Sequence, residues 1–194
     1  MFKPLSLQVK TPRAAFKVIK NDIVPEREKF RFVRAIIESG SVRYTLDVLR
    51  LSERTGLKLS SAWTRNAAMA VLEKGRLEDW MKCFAILLDA GQFETVRLKL
   101  LKKILSCNHN DWLMNLERKG SEMSPMAYND FWGSNFTPAE VKMVFDKVVV
   151  LETNNADGLV ELLSLSAHAA EPFLSQEQRE QLNRAIRALS QDGT

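Results

Sequence analysis

Two histidines, two cysteines and one short basic cluster are the residues of this chain whose types and positions could do chemistry. A hydrolase of the nucleophilic kind needs a Ser, Cys or Thr beside a base, with a third group orienting that base. His109 stands at a helix junction and His168 near the end of a short apolar helix. Neither has a Ser, Cys or carboxylate at a spacing that hydrolase motifs use. Cys83 and Cys107 lie inside apolar periodic segments and form no Cys-x-x-Cys or Cys/His spacing. That is the pattern of buried free thiols in a reducing compartment, not of a structural zinc site. No glycine-rich phosphate loop is present, and the glycines fall where helices should stop. The expectation is a chain with no catalytic, metal or cofactor residues, which is not an enzyme by itself.

Arg97, Lys99, Lys102 and Lys103 form the one basic cluster outside the amino end. Their chemistry would be phosphate recognition by charged donors. The plainer reading is a solvated face, because Lys99, Lys102 and Lys103 share one side of a helix while Leu98, Leu101 and Leu105 take another. Tyr128, Phe131 and Trp132 stand in a stretch containing Gly, Ser, Pro and Asn, and are the candidates for a partner interface. An aromatic pair such as Phe131 and Trp132 in a polar loop either tucks into its own domain or anchors a partner surface.

The elements that must position these residues follow from an internal repeat. Sliding the sequence by 35 residues sets Gly40 on Gly75, Gly56 on Gly91, Ala35 on Ala70, Glu38 on Glu73, Leu46 on Met81 and Leu49 on Phe84. The two glycines of each copy are 16 residues apart. Gly40 and Gly75 follow apolar-periodic helices and are expected to end them in the left-handed conformation, which carries no Cβ penalty in glycine. In the second copy Leu77, Trp80, Met81, Phe84, Leu87 and Leu88 recur at helical spacing, predicting one apolar stripe that stops at Gly91. A helix pair joined by so short a turn cannot bury both stripes alone, so neighbouring pairs must stack.

Around the repeats, Pro25 with Glu26 and Glu28 predicts a helix start. Thr137-Pro138-Ala139-Glu140 and Ser175-Gln176-Glu177-Gln178 are capping boxes that open two further helices. The expected organisation is a basic N-terminal extension over 1–24 and helix hairpins over 25–120, divided as 25–58, 59–94 and a degenerate 95–120. An aromatic loop over 121–136 and C-terminal helices over 137–194, packed on the same domain, follow. That is an all-α chain of about nine helices, without a convincing strand.

Composition bounds the function. Hydrophobic residues at 45% suffice for a folded core within 194 residues, which argues against a disordered chain. No run approaches the length of apolar sequence that a membrane span needs. A net charge of +4 suggests a nucleic-acid partner. Its distribution weakens that reading: residues 1–20 hold five bases and no acid, leaving 23 bases against 24 acids in the rest. The acid-free basic end is either a solvated tail or a segment resembling a mitochondrial transit peptide.

The 35-residue period, the glycine spacing and the segment KGRLEDWMKCFAILLDAG resemble the pentatricopeptide repeat family over residues 26–95, with a weaker third copy to about 120. The resemblance implies an α-solenoid of stacked antiparallel hairpins. Most members of the family bind organellar RNA, one base per repeat, through the first helix. The corresponding positions, nine residues before the first glycine, are Arg31 and Asn66. Arg31 departs from the usual choice, and two repeats read too few bases for sequence selection. The resemblance therefore points to the short, divergent members that serve as lineage-specific subunits of mitochondrial complexes. In length, helix count and basic amino end the chain is similar to the pentatricopeptide-like extra subunits of euglenozoan mitochondrial F1-ATPase. The implied protein is a non-catalytic structural subunit on the matrix side, bound to the α subunit of F1-ATP synthase. The alternative is an organellar RNA-binding or mitoribosomal protein that uses Asn66, Arg97, Lys99, Lys102 and Lys103.

Overall fold

A computed structural model describes residues 11–54, 57–88, 90–107, 130–131, 134–150, 176–177 and 180. Among these residues there are seven helices and no strand: α1 (Pro12–Ile19), α2 (Glu26–Ser39), α3 (Val42–Arg54), α4 (Ser61–Lys74), α5 (Leu77–Ile86), α6 (Ala90–Leu105) and α7 (Pro138–Val150). The all-α class is as expected. Two compact units divide the chain, Met1–Asp79 and Trp80–Thr194, and the boundary falls inside α5. The expected partner helix after Cys107, and those between 151 and 194, lie outside the described residues or are represented only by Gln176, Glu177 and Glu180.

In the first unit the amino end is not an extension throughout. Thr11 caps α1 by accepting the Ala14 N–H at 3.3 Å, and Pro12 opens its first turn, where a missing N–H costs nothing. Ala15 and Ile19, four residues apart, are buried in the same core as Val33, Ile36, Val48 and Leu57, and α1 packs on both α2 and α3. Arg13, Lys17 and Lys20 are exposed on its outer side. From residue 12 onward the basic segment is thus an amphipathic helix with a buried stripe, which corrects the extension over 1–24.

Helix α2 starts after Pro25 with Glu26 and Glu28 in its first turn, where the unpaired N–H groups favour negative charge. It ends at Gly40, whose φ of 71° and ψ of 16° are left-handed and whose N–H donates to the Ile37 carbonyl at 3.1 Å. Only Gly40 and Ser41 separate α2 from α3, so the chain reverses there and the two helices pack as a hairpin. Ser60 caps α4 through a hydrogen bond from the Trp63 N–H, and α4 buries Ala67, Ala68 and Val71 while packing against α3.

Gly75 also stops a helix, but not in the expected way. Its φ of −80° and ψ of 171° are extended backbone, and its N–H closes the last turn of α4 on the Val71 carbonyl at 2.8 Å. An alanine can adopt that conformation, whereas at Gly40 it would be strained and its Cβ would press on the Lys74 side chain. Gly40→Ala should therefore cost about 1–2 kcal/mol. Gly75→Ala should leave stability within about 1 kcal/mol, with a gain permitted by the reduced freedom of the unfolded chain. Urea unfolding of the two variants checks this, and equal losses would contradict the assigned conformations.

The expected stripe from Leu77 to Leu88, ending at Gly91, is also corrected. Helix α5 stops at Ile86, Gly91 lies within the first turn of α6, and Leu88 is 67% exposed. Trp80, Met81, Cys83, Phe84 and Leu87 are buried as the periodicity requires. Where α5 stops, a side chain of α6 takes up the carbonyls of Phe84 and Leu87.

Candidate functional site

Helix α6 places Phe93, Val96, Leu100, Leu101, Ile104 and Leu105 in the core of the second unit, and Arg97 occupies the same stripe. Arg97 is 1% exposed, the most buried cation that the sequence presents as part of a solvent-facing cluster. A buried guanidinium must have all its donors paired, because each one left without an acceptor retains its full desolvation penalty.

All five N–H groups are used. Nε donates to Glu140 Oε1 at 2.8 Å, and one terminal nitrogen donates to Glu140 Oε2 at 2.9 Å and to the Asn135 carbonyl at 2.8 Å. The other donates to the carbonyls of Leu87 at 2.6 Å and Phe84 at 3.3 Å. In a continuing helix those two carbonyls would accept from the N–H groups of Leu88 and Gly91. Arg97 stands in for the missing donor at Leu87 and joins the Leu87 N–H, 3.2 Å from the Phe84 carbonyl, so both acceptors are paired where α5 ends at Ile86. The guanidinium carbon also lies 4.0 Å from the centroid of the Phe84 ring, a cation–π contact.

Glu140 reaches this position through the capping box at the start of α7. Its Oε2 accepts the Thr137 N–H at 2.8 Å, while Thr137 Oγ1 accepts the Glu140 N–H at 3.3 Å. The carboxylate thus caps α7 and neutralises Arg97 at once. One ion pair fixes the end of α5, the middle of α6, the approach at Asn135 and the first turn of α7. Chemically the constellation is closed: Arg97 has no donor left for a phosphate, and the carboxylate is occupied on both oxygens.

The sequence-derived candidates separate accordingly. Arg97 is withdrawn from the basic cluster and is a structural residue, not a nucleic-acid contact. Lys99, Lys102 and Lys103 are exposed on α6, and Asn66 and Arg31 are exposed in the first unit. Phe131 is fully buried, with its ring centroid 5.2 Å from that of Phe84 and 5.4 Å from that of Phe136. Asp130 and Phe131 are helical, not part of a loop. Phe131 therefore tucks into its own unit, which corrects its place in a partner interface. Tyr128, Trp132, His109 and His168 lie outside the described residues. Cys83 is buried, while Cys107 is half-exposed, contrary to the expectation that both are buried, and the two form no disulfide.

Glu140 is the residue that sequence reasoning read only as a cap. The signal for its second role was the spacing of Phe93, Arg97, Leu100, Leu101 and Ile104, which puts an arginine on an apolar stripe and so demands a buried acid. Among the described residues no cluster of His, Cys, Asp or Glu could hold a metal ion, and no helix is long and apolar enough to cross a membrane. No family model matches the chain, and no curated protein or solved structure matches it.

Proposed function

We propose that the chain is a non-catalytic structural subunit of a mitochondrial assembly, a pentatricopeptide-like stack of helix hairpins docked on the α subunit of F1-ATP synthase from the matrix side. It would be related to the extra subunits that the euglenozoan enzyme carries. The observation that carries this reading is the use made of the strongest cation in the basic cluster. Arg97 spends every donor on holding helices together, so the residue best suited to grip a phosphate serves rigidity. The hairpin at Gly40 and the 35-residue repeat support the repeat architecture. The near-neutral balance beyond residue 20 leaves little long-range attraction for RNA.

Purification of the tagged native protein under mild conditions, followed by identification of what travels with it, tests the reading. Recovery of the α and β ATPase subunits in stoichiometric amounts is the expected result. Recovery of ribosomal proteins or RNA in their place would establish the alternative, an organellar RNA-binding or mitoribosomal protein using Asn66, Lys99, Lys102 and Lys103.

A further inference from the structure

We propose that residues 12–19, within the basic stretch that resembles a leader, hold the place of the second helix of a repeat unit preceding α2 and stay in the mature protein, so that leader removal, where it occurs, falls before Thr11. The inference rests on the repeat architecture in the reading above and not on its partner.

The 35-residue period of the sequence is also a period of helix ends. Shifted by 35 residues, both bounds of α2, Glu26 and Ser39, fall on those of α4, Ser61 and Lys74. The same shift sets the start of α3, Val42, on that of α5, Leu77, and the end of α1, Ile19, on that of α3, Arg54. Helix ends fray by one or two residues, so a single coincidence would mean little, but four agree. Packing follows the register, since α1 packs on α2 as α3 packs on α4. Asn21 stands where the shift puts the partner of Gly56 and Gly91. It makes the turn after α1 without glycine, its side chain accepting the Ile23 N–H at 3.0 Å and its carbonyl the Val24 N–H at 3.2 Å.

Retention follows from what α1 covers. Ala15 and Ile19, 2% and 1% exposed, complete the core formed with Val33, Ile36, Val48 and Leu57. Phe16 sets its ring centroid 5.9 Å from that of Tyr44 on α3. The bases do not disturb this seat: Arg13 and Lys17 are exposed, and Lys20 keeps its ammonium 6.0 Å from the Phe16 centroid while its head stays in water. A leader is removed without loss to the fold. Cutting after α1 would return the covered apolar side of α2 and α3 to water.

The test has two parts. Intact mass and amino-terminal sequencing of the native protein, purified from its source, should place the mature start at or before Thr11; a start at Pro12 or later overturns the inference. Thermal unfolding of the full chain by circular dichroism compares a buried with an exposed residue of α1. Ile19→Ala should lower the midpoint by at least about 4 °C, and Lys17→Ala should move it by less than about 2 °C. Ile19→Val, with a smaller loss, keeps the comparison if Ile19→Ala does not fold. Equal tolerance at Ile19 and Lys17 overturns the inference while leaving the proposed partner standing. Absence of ATPase subunits from the purified protein overturns the partner and leaves the retained helix in place.

Discussion

Replacing Arg97 by alanine is expected to lower stability by about 3–5 kcal/mol, the largest loss of any polar substitution in the described residues. The figure is large against a typical total of about 5–15 kcal/mol. Its origin is what the substitution leaves behind, not a great net worth of the ion pair. The Glu140 carboxyl would be left buried with only the Thr137 N–H to bond, and the carbonyls of Leu87 and Asn135 would lose the donor that Arg97 gives them, while that of Phe84 would keep only the Leu87 N–H. Truncation also opens a cavity against Phe84. Glu140→Gln keeps the shape and one acceptor, so it should cost less than Arg97→Ala. Removing both charges with Arg97→Met and Glu140→Leu should not restore the wild type, because the Leu87 and Asn135 carbonyls still lack the donor that Arg97 supplied. Urea unfolding of the single and double variants gives the coupling between the two residues directly. A loss below about 1 kcal/mol for Arg97→Ala would mean that the guanidinium is not buried as described.

What was legible in the sequence was punctuation. Gly40, Pro25 and the Thr137 to Glu140 box each mark a helix end through a purely local requirement, a left-handed turn or an unpaired N–H, and each is found where the residues put it. The same logic applied to Thr11-Pro12 would have located α1, since it is the signature of Thr137-Pro138 placed at the amino end. The run of bases there instead suggests a tail. Gly75 and Gly91 show the limit of a repeat: glycine tolerates left-handed, extended and helical backbone alike, so its position does not fix its conformation. Glu140 could not be paired with Arg97 from sequence because 43 residues separate them, and only tertiary packing selects which acid meets a buried base. Lys99, Lys102 and Lys103 are exposed, as the period of an amphipathic helix sets.

Phe131→Ala should cost about 3–5 kcal/mol, and this result decides between two readings that the sequence left equal. An aromatic residue that anchors a partner is spent at an interface, so its truncation leaves the free protein stable and weakens association. An aromatic residue inside a core behaves the other way. Phe131 is fully buried, its ring meets Phe136 edge-on with an interplanar angle of 85°, and both rings approach Phe84, which in turn stacks under Arg97. Loss of the ring removes apolar burial and two aromatic contacts, each worth about 0.5–1.5 kcal/mol beyond area. It also loosens the support of Phe84, so part of the effect should be shared with the Arg97 variants and be less than additive with them. Phe131→Leu, which refills most of the volume, should recover more than half of the loss. The measurement is thermal unfolding followed by circular dichroism, alongside binding at a temperature where the variant is still folded. Unchanged stability with weakened binding would put Phe131 at a surface; a large stability loss with binding intact in the folded fraction places the partner contact elsewhere.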